Sequence, residues 1–411
     1  MLARWLGLAV LLAAAAGAVG CSGSGASTNN EATGSQLAVY SSLPLQGPLA
    51  AISDELIKGE KLALSGVGGR VGRFKIGYAS LDDSSPTSGR WSPGETATAA
   101  KTAAQDTSTI AYLGDYNSGA TAVSLFPINE AGIAQVSPGS PYEGLTSSLD
   151  AGQDEPERFY PTGKRTFVRL IPGDSVQAAA QVQLMRSLGV HKLYLLDDQD
   201  PFQSPLAKLV ASGALAAGIS VAGHDSISVT TGATYTGEAE KIAESGAQAV
   251  FFAGAGSEGA AAMWQQLHAA MPHLLLLGPS TLAEEEGFAS HIGAAAASTY
   301  ITTPALPPSM YPASAQRVLR AYRRAFGGEP SAYALFGFES MSLVLSAIRR
   351  AGAHGNDRET VVANLLSTRK RDSVLGRYSV EPNGETTLSS YAVDRVAGGR
   401  PVFYRAYQLP R

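Results

Sequence analysis

One cysteine, Cys21, occurs in 411 residues, so no intramolecular disulfide can staple the chain and its core must suffice. Histidine is also sparse: His191, His224, His268, His273, His291 and His354 form no HxxxH or HExxH pair, so metal-ligand spacing is missing. No GxSxG turn and no GxxxxGK[ST] loop occurs, which removes the hydrolase and P-loop readings in their common local forms. Charged residues make up only 16% of the chain and the net charge is -4, so there is no basic footprint for nucleic acid. Beyond Val19 no uncharged apolar segment approaches the length of a membrane span.

What is present begins at the N-terminus. Arg4 precedes "WLGLAVLLAAAAGAV", Trp5 to Val19, which is short for a membrane span and suits the core of an export signal over residues 1–20. The small residues Ala18 to Gly20 in front of Cys21 resemble a bacterial lipobox, although that pattern prefers Leu where Ala18 stands. The resemblance implies that Cys21 is lipidated and becomes the mature N-terminus, attached to a membrane. A thiol flanked by Gly, Ser and Asn has no apolar core in which to be buried. Each buried acyl methylene contributes ~0.8 kcal/mol, so two or more chains make a durable anchor. Residues 21–35 follow as a tether, rich in Ser, Gly, Thr and Asn, expected to be flexible.

Residues 36–411 are comfortable for two domains. Short apolar runs alternate with helical patterns throughout. Expected strands are Leu37 to Ser41, Phe74 to Leu81, Ile110 to Gly114 and Ile133 to Ser137. A second series comprises Thr166 to Leu170, Lys192 to Leu196, Ala249 to Ala253 and Leu274 to Gly278. Continuous apolar character fits strands covered on both faces, as in a parallel sheet flanked by helices, so the fold class is α/β. Helices are expected at Ala120 to Ala131, Leu206 to Ala217, Gly259 to Ala270, Ala313 to Phe326 and Tyr333 to Ala351. Another would start with Asp174 as its cap and stop at Gly189. The polar stretch Asp150 to Arg165 separates the two series and is expected to be the first crossing between lobes.

In an open parallel sheet the ligand sits outside the carboxyl ends of the strands. The segments there are "SSLPLQG", "DDSS", "DYNSGA", "PGSP", "DDQDPFQ", "GAGSEG" and "PSTL". Nearly all offer glycine, a hydroxyl or a carboxylate with little apolar bulk, which suits a cleft gripping a small polar solute. "GAGSEG", Gly254 to Gly259, is a literal GxGxxG, yet the next strand ends in Gly278, Pro279 and Ser280 without the acid a ribose needs; no nucleotide cofactor is expected. The run Glu284 to Glu286 reads as a solvated helix start. Asp82 and Asp83 suit ligand contacts or a turn equally, and Phe202 suits a cleft aromatic or a core residue.

The stretch "YLGDYNSGATAVSLFPINEAGIAQVSPGSPYEGLT", Tyr112 to Thr146, resembles the first-lobe core of the type I periplasmic binding proteins, specifically the branched-chain amino acid receptors of ABC importers. The opening loop "LPLQGPLAAISDELIKGEKLAL", "LDDSS", "LYLLDDQDPFQSPLA" and "FGFESMSLVLSAI" extend the likeness over nearly all of residues 36–411. The resemblance implies two Rossmann-like lobes with parallel central sheets, joined by three crossings near Gly163 to Thr166, Thr302 to Pro304 and Arg371 to Leu375. Lobe 1 would comprise 36–164 with 304–371, and lobe 2 would comprise 165–303 with 372–411.

It also implies a ligand site. Ser118 and Thr121 fall where the family's hydroxyls hold a ligand carboxylate, with Asn117, Gly119 and Ser140 beside them. Such donors at a helix N-terminus suit an anion. Phe202, Gly254 and Ser280 are the second-lobe candidates. Pro141 replaces a threonine, offering neither hydroxyl nor N–H; Ser280 replaces the acid that pairs with an amino-acid ammonium; Ile52 replaces an aromatic wall. An unpaired buried ammonium is costly, so Asp198, Asp200 or Glu258 would have to substitute. The implied function is a solute receptor presenting its closed form to ABC permease subunits, with ligand sensing for a membrane signalling partner as the alternative. No motif pairs a nucleophile with a base, so catalysis is not expected.

Overall fold

A computed structural model describes residues 30–149, 151–284 and 287–409. The export signal, Cys21 and residues 21–29 of the tether lie outside them.

The first sheet contains β1 (Gln36–Leu43), β2 (Arg70–Val71), β3 (Phe74–Asp82), β4 (Thr109–Gly114), β5 (Ala134–Ser137) and β6 (Phe167–Arg169), in the order β2-β3-β1-β4-β5-β6. All its pairings are parallel except β2 with β3. The chain then builds β7 (Lys192–Asp197), β8 (Ser220–Ser226), β9 (Ala249–Ala253), β10 (Leu275–Gly278) and β11 (Thr299–Thr303). After a small hairpin of β12 (Arg371–Ser373) and β13 (Gly376–Tyr378), β14 (Ser390–Ala397) and β15 (Arg400–Gln408) complete the second sheet. Its order is β15-β14-β11-β10-β9-β7-β8, with β14 and β15 antiparallel on an otherwise parallel set. Every residue of β4, β9 and β11 is buried. The alternation along β9 shows why: Val250 and Phe252 enter the core on one face, Ala249 and Phe251 that on the other. Two sheets, each sandwiched by helices, therefore give the expected α/β architecture of two lobes.

The helix Ala50–Gly66, from the stretch taken as an opening loop, crosses Tyr333–Ala351 with backbone nearly touching backbone. A Cβ on Gly337 would overlap the Leu56 carbonyl, and one on Gly59 the Ala334 carbonyl. Glycine at both positions permits the approach.

Three boundaries differ from expectation. Strand β6 pairs with β5, Val136 opposite Val168, so residues 165–170 belong to the first lobe and the chain leaves it at 170–174. The stretch 151–165 stays there too, because Phe159 and Tyr160 are buried and the Tyr160 hydroxyl donates to the Leu145 carbonyl at 2.7 Å. Strand β11 of the second sheet ends at Thr303, and Ala315 and Leu319 beyond it pack in the first-lobe core. The third crossing is later than Arg371 to Leu375: the β12–β13 hairpin buries Val374, Leu375 and Tyr378 in the first-lobe core, and the chain crosses at 381–390. The tether also ends early. Ala32 is buried, Glu31 bridges to Asp357, and the Thr33 N–H donates to the Thr107 carbonyl at 3.0 Å, so residues 30–35 pack on the first lobe.

Candidate functional site

Strand β4 ends at Gly114, and four residues later the helix Ser118–Glu130 begins, with Asn117 at its N-cap position but making no side-chain cap bond. A buried network fixes that turn. Thr121 Oγ1 accepts from the Asp115 N–H at 3.2 Å and lies 2.7 Å from Ser140 Oγ, while Ser137 Oγ donates to the Asp115 carbonyl at 2.7 Å. Beneath it, Asp115 and Asp83 are buried acids; burial first, and their mutual repulsion at Asp83, pushes Asp83 up to about 9 and burial pushes Asp115 up to about 6. With the turn held, Asn117, Ser118 and Gly119 face an inter-lobe cleft of about 770 Å³, open solvent at its mouth included.

The neighbouring segment 138–146 is held from behind. Arg169, fully buried, donates to the Ser140 and Tyr142 carbonyls at 2.8 Å each and pairs with Glu385 on the third crossing. This places Pro141 on the cleft wall and aims the Tyr142 N–H at Ser118 Oγ, 3.2 Å away. From the second lobe, Asp200 Oδ1 accepts from the Phe202 and Gln203 N–H groups at 2.8 and 3.1 Å, an acid-stabilised turn that presents Phe202. The Phe202 ring meets Tyr142 edge-on at 5.5 Å, closing one side of the cleft.

The opposite side is formed by Ser280 and the helical turn Thr281–Glu284. Glu284 is half-buried in the cleft, and the Tyr116 hydroxyl of the first lobe donates to Glu284 Oε1 at 2.8 Å. Burial pushes the Glu284 carboxyl up, against the hydrogen bonds from Tyr116 and Ser280. Trp91, Tyr333 and Tyr391 complete an aromatic surround.

Of the residues proposed from sequence, Asn117, Ser118, Gly119, Pro141, Phe202 and Ser280 line this cleft together. Thr121 and Ser140 do not: they lie one layer below, bonded to each other. Gly254 is also withdrawn, its carbonyl accepting from Thr281 Oγ1 at 2.8 Å. Asp82 and Asp83 resolve as turn and support, since Asp82 holds the Leu45 N–H at 3.0 Å and Asp83 is bonded to Ser42. Asp174 is the first residue of its helix behind a Gly173 cap, and it lines the cleft. Ile52 packs on the first-lobe core. Of the three substitute acids, Asp200 lines the cleft, Asp198 lines its outer mouth and Glu258 lies apart, accepting from Thr231.

A family model described as periplasmic binding protein matches residues 41–400. The chain belongs to the periplasmic binding protein family. No curated protein matches it in sequence. Among solved structures, a leucine binding protein from Thermotoga maritima is 19% identical, with 90% of this chain and 98% of that one covered at a TM-score of 0.73. An ABC transporter substrate-binding protein from Desulfitobacterium hafniense in complex with Leu is 17% identical, covering 90% and 100%, at 0.72. A solute binding protein of an ABC transporter from R. palustris in complex with benzoate is 17% identical, covering 90% and 95%, at 0.69. At such identities the likeness is one of fold.

Within this periplasmic binding protein, the sequence reading missed Trp91, Tyr116, Asp174, Tyr333 and Tyr391 as cleft residues, and also Glu284, which it reads as a solvated helix start. Glu284 stands four positions after Ser280, one helical turn on, and its N–H donates to the Ser280 carbonyl at 3.2 Å. The spacing itself was the signal, because side chains four apart on a helix share a face.

Proposed function

We propose that this periplasmic binding protein is the extracytoplasmic receptor of an ABC importer, anchored to the membrane through a lipidated Cys21, and that it captures a small organic solute by closing its lobes. The observation that carries this reading is a cleft lined from both sides, by Asn117, Ser118 and Gly119 of the first lobe and Phe202, Ser280 and Glu284 of the second. A solute touching both sets stabilises the closed arrangement, and a permease then recognises that arrangement. The leucine and benzoate complexes of relatives support a solute of amino-acid or aromatic size. The protein's part is capture, not chemistry.

A thermal-shift screen of the purified protein tests the receptor role, using amino acids, carboxylates, amines, polyols and nucleosides. A solute at a hundred times its dissociation constant adds about 2.7 kcal/mol of stability. Silence across all these classes counts against the reading. Labelling of cells with radioactive palmitate tests the anchor: incorporation should vanish in Cys21→Ser.

A further inference from the structure

The polar chemistry of the cleft is one-sided. Among the described residues that line it, Asp174, Asp200 and Glu284 carry carboxylates and none is Lys, Arg or His. Two arginines flank it, both engaged. Arg169 serves the Ser140 and Tyr142 carbonyls and Glu385, and Arg90, at the outer mouth, donates to the Gly256 carbonyl at 3.3 Å.

Groups suited to an anion are few. The Thr121 and Ser140 hydroxyls pair with each other and Pro141 has no N–H to give, while Ser118 Oγ accepts the Tyr142 N–H and keeps its own O–H to donate. The first turn of the helix Ser118–Glu130 remains, with about half a positive charge. Acceptors, by contrast, are left over. Asp174 is 3% exposed, lines the cleft, and its carboxylate takes no hydrogen bond from any described residue. Asn117 Oδ1 is likewise buried without a partner. A buried carboxylate without a partner is costly, so what enters the cleft gains most by bringing a positive charge to it. The rings of Trp91, Tyr116, Phe202 and Tyr333 add faces that attract cations.

We propose that the solute is an organic cation, a small molecule of net positive charge whose protonated or quaternary amine is held by Asp174 and Glu284. This rests on the receptor reading and narrows it, since two carboxylates outweigh the single helix end facing them. In the empty protein burial first, then repulsion from Glu143, against Arg169 and with a smaller push from Glu385, raises the Asp174 carboxyl to about 8, so it holds a proton more readily than an exposed aspartate. A bound cation replaces that proton.

Isothermal titration of the purified protein with 1,5-diaminopentane, lysine and choline as cations, leucine as zwitterion and benzoate as anion tests the assignment. At least one cation should bind tenfold or more tightly than leucine and benzoate, and Asp174→Asn and Glu284→Gln should each weaken it at least tenfold. Leucine or benzoate binding as tightly as every cation, with affinity unchanged in Asp174→Asn, overturns the charge assignment and leaves the receptor intact. If no cation binds, the assignment is wrong; if none of the three classes binds, the receptor reading goes with it. Should a variant fail to fold, the wild type still decides.

Discussion

The Tyr116 hydroxyl of the first lobe donates to the Glu284 carboxylate of the second at 2.8 Å, with the Tyr333 hydroxyl 3.2 Å from that of Tyr116. This bond spans the cleft, so it exists only while the lobes are close. Removing it in Tyr116→Phe leaves a burial-raised carboxyl with one donor fewer and biases the lobes apart. The expected cost to solute affinity is about 0.5–1.5 kcal/mol, several-fold in dissociation constant. Small-angle scattering of the ligand-free variant should show a larger radius of gyration. Affinity and radius both equal to wild type would mean the bond does not latch the lobes.

Gly119 occupies a contact between lobes. A Cβ there would stand 2.5 Å or closer to the Trp91 ring and 3.0 Å from the Phe202 ring. Gly119→Ala forces those rings to shift, and Phe202 is the aromatic that closes one side of the cleft. Overpacking of this kind costs about 1–3 kcal/mol. The loss should fall on binding more than on folding, because Phe202 can retreat with its lobe. Calorimetry and thermal melting read the two separately, and a lower Tm with unchanged affinity would reverse that assignment.

Elements whose apolar character is continuous were legible in the sequence. Strand β9 and the helices Ala313–Phe326 and Tyr333–Ala351 fall on their expected residues, since burial on both faces or along a stripe writes itself into the residue pattern. Strand β8, with the sequence SVAGHDS, has no such pattern; it is an edge strand, more than half polar or glycine, and register comes from β7. Lobe membership was the harder quantity. Thr166 to Leu170 reads as a strand from either side of a crossing, and only its pairing with β5 assigns it. The site was half legible for a related reason. Ser118 and Thr121 carry the same hydroxyl chemistry, but their separation on the helix sends one to the cleft and the other into the packing below.

Arg169 holds the segment 138–146 through two carbonyls and pairs with Glu385, joining the first lobe to the third crossing. Arg169→Met fills the same volume but leaves Glu385 without its cation. Breaking such a buried pair from one side costs about 3–5 kcal/mol. Replacing both partners by apolar residues should recover part of the stability without restoring the carbonyl bonds. Denaturant melts of the single and double variants check this, and a single variant as stable as wild type would show the pair to be incidental.

Asp174 makes stability depend on pH in a definite direction. Burial first, then repulsion from Glu143, lifts its folded value to about 8 from an ordinary 3.8. Below about 4 the carboxyl is protonated in both states, and its contribution is fully present. From there upward the unfolded chain releases the proton while the folded protein keeps it, so stability declines until about pH 8 and then levels off. Glu60, pushed up to about 8, and Asp83, up to about 9, act in the same sense, whereas Asp82 and Asp197 lie below their ordinary values and act oppositely. A difference measurement isolates Asp174. Ligand-free Asp174→Asn should melt with wild type at pH 4 and above it by pH 8, by on the order of 2–4 kcal/mol. A constant difference across that range would show that Asp174 titrates alike in both states and carries no burial strain for a ligand to relieve.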